Sequence, residues 1–256
     1  MYNYKIILEY EGTRYNGWQK QDNTTNTIQG VIEGVLFNIT GKQIEVIGSG
    51  RTDAGTHARG QVANFKLTAL WDTYELMAVL NKHLPSDIRI TACTLAEARF
   101  HSRLNAVGKV YAYRVALGKA DVFERRTVLQ VEDNVNVEEM KRAAKLLMGE
   151  HDFRGFSSDK RKKKSTVRQI YSIAFNINNN VLEIYYCGNG FLYNMVRILT
   201  GTLLEIGMGK KNVDIIPAVF ESKSRAMAGV TLPSRGLMLE KVFYTQEEIN
   251  EYIARG

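Results

Sequence analysis

The side chains able to do chemistry gather in one stretch of this 256-residue chain. Residues 48–61 read Gly-Ser-Gly-Arg-Thr-Asp-Ala-Gly-Thr-His-Ala-Arg-Gly-Gln, so glycines at 48, 50, 55 and 60 surround Arg51, Asp53, His57 and Arg59. Glycines at that density cost backbone entropy and add nothing to a core. Such a loop suits a functional surface held by a rigid scaffold. Asp53 has two readings. In an ordinary loop its carboxylate shapes an Asx-turn; beside cations it is a candidate nucleophile. Arg51 and Arg59 are expected to keep it ionised, because neighbouring positive charge lowers a carboxylate pKa. His57 has no paired Ser or Cys in view and reads as a polar loop contact.

Two phosphate-cradle readings of the same stretch fail. A Walker A loop needs Lys after its second glycine, but Gly55 is followed by Thr56 and His57. A dinucleotide fingerprint starting at Gly48 would need glycine where Asp53 stands.

The elements that must hold this loop follow from periodicity. Tyr4, Ile6, Leu8 and Tyr10 alternate as in a half-buried strand. Ile28, Val31, Ile32, Val35, Leu36 and Ile39 line one helical face, which Gly41 ends. Extended runs over 44–47 and 61–67 follow. Then comes a helix capped by Asp72 and Glu75 with a Leu76, Val79, Leu80, His83 and Leu84 stripe, stopped by Pro85, and a strand over 88–95. The order is βαββαβ.

The second half repeats it: a strand over 110–117, a helix capped by Asn136 and Glu139, and strands over 167–177 and 182–187 around Asn178, Asn179 and Asn180. A helix carrying Leu192, Met195, Val196, Leu199 and Leu203, a short helix near 213–222 and a strand over 237–244 complete it. The expected fold is α+β: two ferredoxin-like units with mainly antiparallel sheets meeting at a central cleft. Their expected spans are 1–105, carrying the Asp53 loop, and 106–256.

Composition narrows the partners. The sequence is 45% hydrophobic and 24% charged, with a formal net charge of +7. Residues 1–105 hold 11 Lys and Arg against 10 Asp and Glu, so the excess sits in the second half, notably Lys160, Arg161, Lys162, Lys163 and Lys164, with Arg168 beyond. A short charge run is commonly a solvated loop; on a basic protein, contact with RNA phosphates is an equal expectation. Two cysteines and four histidines form no evident metal-ligand set. No apolar run suits a membrane helix, and Glu9 interrupts any signal-peptide core, so the expected location is the cytoplasm.

Gly50-Arg-Thr-Asp-Ala-Gly-Thr-His-Ala-Arg-Gly-Gln61 resembles the active-site motif of the tRNA pseudouridine synthase A family. In the family's order it is joined by Phe100-His-Ser-Arg-Leu-Asn-Ala106, Tyr111-Ala-Tyr113, Gly149-Glu-His-Asp-Phe153 and Thr166-Val-Arg-Gln-Ile170. Gly190-Phe-Leu-Tyr-Asn-Met-Val-Arg197 and Ala228-Gly-Val-Thr-Leu-Pro-Ser-Arg-Gly-Leu237 complete the set, so the resemblance spans nearly the whole sequence. Three positions depart from the pattern: Thr56 replaces the usual Val, and Val230 and Ser234 replace prolines.

The resemblance implies isomerisation of uridine to pseudouridine in the anticodon stem-loop of tRNA, at tRNA positions 38, 39 and 40, without cofactor or metal. It makes Asp53 the essential carboxylate, leaving open attack on C1′, addition to the base, or action at C2′. It places Tyr111 against the target uracil, with Tyr113 an ordinary strand aromatic. Arg51 is expected to fill or hold the space of an extruded base. Arg197 sits in an apolar helix, where a cation needs a partner; Asp53 is the candidate. Arg59, Lys160, Lys162, Lys163, Lys164 and Arg168 are expected RNA contacts, and the family's working unit is a homodimer. An RNA-binding RRM is disfavoured because Gln61 stands where RNP1 needs an aromatic. A nucleosidase would need a second carboxylate to activate water.

Overall fold

The computed structural model describes residues 1–22, 24–159 and 165–255, and Lys160, Arg161, Lys162, Lys163 and Lys164 lie outside the described residues. In sequence order the elements are β1 (Tyr2–Tyr10), α1 (Ile28–Thr40), β2 (Ile47–Gly48), β3 (His57–Leu67), α2 (Thr73–His83), β4 (Ile88–Ala96) and β5 (Gly108–Leu117). They continue with β6 (Leu129–Val131), α3 (Val137–Lys145), β7 (Gly149–Asp152), β8 (Val167–Asn178), β9 (Val181–Gly188), α4 (Met195–Gly207), α5 (Ile215–Ser222), β10 (Leu237–Phe243) and α6 (Gln246–Arg255). The fold is α+β, with mostly antiparallel strand pairing. Among the described residues no helix is long and apolar enough to cross a membrane.

The protein forms two compact units. The first comprises Met1–Val107 and Met238–Thr245, the second Gly108–Leu237 and Gln246–Gly256.

In the first unit β1 lies between β4 and β3, antiparallel to both. Tyr4, Ile6, Leu8 and Tyr10 are buried, as their alternation requires. Thr27 caps α1 by accepting the Gly30 N–H, and Gly41 ends it in the left-handed conformation at φ 69°. Asp72 caps α2 through the Tyr74 and Glu75 N–H groups, with Leu76 and Leu80 fully buried beneath. The extended run over 44–47 pairs only at its end, as the two-residue β2. β10 returns to this unit and runs parallel to the start of β3, pairing Met238 with His57 and Leu239 with Ala58. The Val107 N–H donates to Phe243 O, and Tyr244 packs against Phe100 at 5.1 Å.

In the second unit the strand order is β5-β9-β8-β7, antiparallel throughout, with β6 parallel to β5. Asn179 and Asn180 turn the β8–β9 hairpin with φ of 53° and 70°, the geometry short polar side chains tolerate best. Asn136 caps α3 as expected. α4 buries eleven of its residues, including Ile198, Leu199 and Leu203 at no measurable exposure. The short strands β6 and β7 and the last helix α6 had no counterpart in the periodicity.

Candidate active site

Asp53 sits in a loop whose backbone is held on every side while its side chain stays half-buried. Thr52 O accepts the Trp18 N–H at 3.0 Å, and Thr52 Oγ1 bonds Tyr10 Oη at 2.8 Å. The Gly55 N–H donates to Tyr15 O, and the Thr56 N–H closes a turn on Asp53 O at 3.1 Å. On the upstream side Ser49 Oγ donates to Gln61 Oε1, while Gln61 Nε2 donates to Gly50 O. The loop is thus fixed before any substrate arrives, which is what a reacting carboxylate needs.

The segment 10–18 forms this cradle, and motif reading did not single it out. Tyr10, Tyr15 and Trp18 are all buried. Gly17 adopts φ 87°, and a Cβ there would lie 2.6 Å from Thr52 O and 3.2 Å from the Asp53 carbonyl carbon. Any larger residue would push the Asp53 peptide away. Trp18 in turn lies so close to Gly48 that a Cβ on that glycine would fall 2.4 Å from the indole. The sequence signal was available: two glycines and two aromatics in an otherwise unassigned stretch after a strand that ends in Tyr10. Burial pushes the Tyr10 hydroxyl pKa well above its usual 10.0, with the Thr52 and Gln61 hydrogen bonds opposing it, so Tyr10 is a neutral clamp.

Two arginines of this stretch make contacts of their own. Arg51 is exposed, and its Nε donates to Gln19 Oε1 at 3.2 Å. Arg59 lies on β3, where its guanidinium faces Glu240 on the neighbouring β10 at 3.7 Å. Gln19 and Glu240 are thus contacts of these two cations. His57 is 1% exposed and its Nδ1 accepts the Gly12 N–H at 3.0 Å, which agrees with a structural contact.

The second unit positions the other named residues. Tyr111 on β5 is 8% exposed and meets Phe191 edge-on at 5.3 Å. Tyr113 donates its hydroxyl to Pro233 O at 2.7 Å, as befits a structural strand aromatic. Arg197, in the first turn of α4, donates from Nε to Leu232 O at 2.5 Å and from Nη1 to Asn194 Oδ1 at 2.8 Å. Both oxygens are partners for a cation on an otherwise apolar helix. Residues 228–237 therefore have a defined task, since they bring Leu232 O and Pro233 O to Arg197 and Tyr113. Val230 N–H donates to Glu205 Oε1 at 3.3 Å, a bond that the family's usual proline could not make.

Other motif residues make contacts within the fold. His151 stacks on Phe220 at 4.4 Å, and Asp152 accepts from Lys223 at 2.7 Å and from Thr166. Asn64 accepts the Ser102 N–H and so anchors the 100–106 motif. Arg168 is folded onto its own segment, donating to Ser165 O and Val167 O.

With this geometry in place, comparison with known proteins is decisive for the class. Residues 6–103 and 143–245 match the family described as tRNA pseudouridine synthase. A tRNA pseudouridine synthase A of Bacillus sp. (strain KSM-64) is 46% identical over 95% of this chain and 100% of its own. A tRNA pseudouridine synthase A 2 of Bacillus cereus (strain ZK / E33L) is 43% identical over 94% and 99%, respectively. A tRNA pseudouridine synthase A of Clostridium kluyveri is 40% identical over 95% of this chain and 100% of its own. The chain belongs to the tRNA pseudouridine synthase family, and its class of activity is isomerisation: formation of pseudouridine in tRNA.

Proposed function

We propose that this enzyme converts uridine to pseudouridine in the anticodon stem-loop of tRNA, at tRNA positions 38, 39 and 40, with Asp53 as the nucleophile and no cofactor. The observation that carries this reading is the half-buried Asp53 carboxylate on a loop whose neighbouring backbone is clamped at Thr52, Gly55 and Thr56. Such a carboxylate stays near a reacting sugar without moving the loop.

The chemistry needs only one such group. The C1′–N1 bond breaks, the uracil turns within the site, and a C1′–C5 bond forms. The C5 proton leaves and N1 gains one, so atoms balance without water or donor. A glycosidase needs a second carboxylate to deliver water; here the departing base is the incoming nucleophile, and the site has to exclude water. Tyr111 is assigned to the uracil, its hydroxyl serving the proton step at C5 or orienting the carboxylate. Arg51 handles the extruded nucleotide, whose flipping costs a few kcal/mol and less in a loop than in a duplex. Arg197 and Arg59 assist substrate binding. Residues 160–164 and Arg168 contribute phosphate contacts that are led by RNA shape. The working unit is a homodimer acting in the cytoplasm.

The test is modification mapping of tRNA incubated with wild type and with Asp53→Ala. Expected is loss of pseudouridine at all three positions by at least roughly 10³-fold, with tRNA affinity changed far less. Equal losses of affinity and turnover would reduce Asp53 to a structural role. Release of free uracil by the wild type would replace isomerisation with hydrolysis.

A further inference from the structure

Arg51 is the outer end of a polar relay that runs into the interior of the first unit. Its Nε donates to Gln19 Oε1 at 3.2 Å, and Gln19 Nε2 donates to Gln29 Oε1 at 2.8 Å. Gln29 Nε2 donates to Glu33 Oε1 at 2.9 Å and to Val46 O at 3.1 Å, while Gln29 Oε1 also accepts the Lys20 N–H at 2.9 Å. Glu33 accepts the Val46 N–H at 3.1 Å and pairs with Lys20 Nζ at 3.3 Å. Gln29 and Glu33 are 6% and 8% exposed, although they lie on a helix whose sequence assigns polar residues to solvent.

The direction of every bond in this relay is forced. A backbone N–H can only donate and a backbone C=O can only accept. Lys20 N–H and Val46 O therefore admit one orientation of the Gln29 amide. With Gln29 Oε1 turned to Gln19, the amide nitrogen of Gln19 must face inward, and its oxygen must face Arg51. The other orientation of Gln19 would set its NH₂ against the guanidinium, donor to donor. The bond to Arg51 uses Nε, so Gln19 leaves the paired Nη donors unengaged, and that fork is the part of arginine suited to phosphate or base oxygens.

We propose that Gln29, acting through Gln19, is a positioning residue for pseudouridine formation: it fixes an acceptor under Arg51 and so holds the guanidinium beside the Asp53 loop with its Nη fork ready for RNA. The inference rests on the proposed role of Arg51 at the extruded nucleotide. It assigns to α1, apart from its packing, the task of setting the direction of one active-site arginine.

The experiment is a double-mutant cycle read as single-turnover rate at saturating full-length tRNA, with half-saturating tRNA concentration and melting temperature measured alongside. Gln19→Ala, which removes a half-buried link and leaves no buried vacancy, should lower the saturating rate about tenfold, the value of one charge-assisted hydrogen bond, with little change in half-saturation. In an Arg51→Ala background the same substitution should cause no further loss. Gln19→Glu should recover part of the rate, because a carboxylate offers Arg51 an acceptor whichever way it turns, although its other oxygen then meets Gln29 Oε1. Gln29→Met should slow the wild type but not the Gln19→Glu enzyme, and if it does not fold the Gln19 variants decide alone. An equal loss from Gln19→Ala with and without Arg51, or no loss in either, overturns the proposal. Asp53→Ala, assayed in parallel, separates the two readings. If it is inactive while the cycle is additive, only the positioning role falls; if it is active, the proposed nucleophile falls.

Discussion

Helices α1 and α4 both bury polar side chains, but they satisfy them differently. On α4, Thr200 and Thr202 are fully buried and return their hydroxyl protons to the carbonyls of Val196 and Ile198 at 2.8 Å, one turn back on the same helix. On α1, Gln29 and Glu33 reach outward to Gln19, Lys20 and Val46. Each of these hydroxyls then meets one neighbour, Tyr186 Oη for Thr200 and the Gly229 N–H for Thr202, so α4 still packs largely through apolar side chains. Bonds sent outward make α1 a fixture that sets where two loops lie. Burying amide and carboxyl groups carries a desolvation cost that an all-apolar helix avoids, so the arrangement on α1 makes sense where direction matters more than stability.

This contrast can be broken by experiment. The largest effect on folding belongs to the second unit: Leu199→Ala, at a fully buried site on α4, should cost about 2–5 kcal/mol in urea unfolding. Molecules that remain folded should keep their turnover, and a selective loss of turnover would mean that packing at Leu199 also sets the geometry of the site. Gly17→Ala is the counterpart in the first unit. The added methyl strains a positive φ and meets Thr52 O, so the single-turnover rate should fall on the order of 10²-fold through displacement of Asp53. Its melting temperature should move much less than that of Leu199→Ala; a larger shift would make the cradle structural only.

A smaller effect of opposite sign is expected at Thr56, which is 1% exposed and whose hydroxyl has no hydrogen-bond partner among the described residues. Thr56→Val should stabilise the protein by about 1 kcal/mol without altering rate, and a drop in melting temperature would show that the hydroxyl is satisfied. The smallest effect concerns pH. Burial alone would raise the Asp152 pKa, but hydrogen bonds from Lys223, Thr166 and the Arg154 N–H together hold it below 3.8. A depressed carboxylate adds stability above its unfolded pKa and loses it as pH falls through the folded one. The stability difference between wild type and Asp152→Asn should therefore be flat near neutrality and shrink below pH 3.8, by at most about 1 kcal/mol given the partly exposed lysine. A difference that persists unchanged in acid would remove the ion pair from consideration.

Much of this was legible in the residues. The caps at Asp72 and Asn136, the asparagine hairpin and the α4 stripe are local devices, so local patterns announce them. The Asp53 loop was legible because glycine, arginine and carboxylate at that density serve no core. What escaped was tertiary. Gln29 and Glu33 look solvent-facing until Val46 and Lys20 are seen opposite them. The contact of Arg59 with Glu240 is equally invisible until β3 and β10 are paired. The aromatic cradle of Tyr10, Tyr15 and Trp18 acquires its meaning only from the loop it supports. β6 and β7 are too short for periodicity, and α6 buries only Ile249.

The return of β10 to the start of β3 has a consequence during biosynthesis. The strand that leaves the Asp53 loop finds its partner at Met238 and Leu239, which the ribosome adds long after β3 itself. A nascent polypeptide halted before that point would expose an unpaired edge at His57 and Ala58, open to misassociation. The strand that follows the Asp53 loop therefore gains this partner only after residues 238 and 239 have been made.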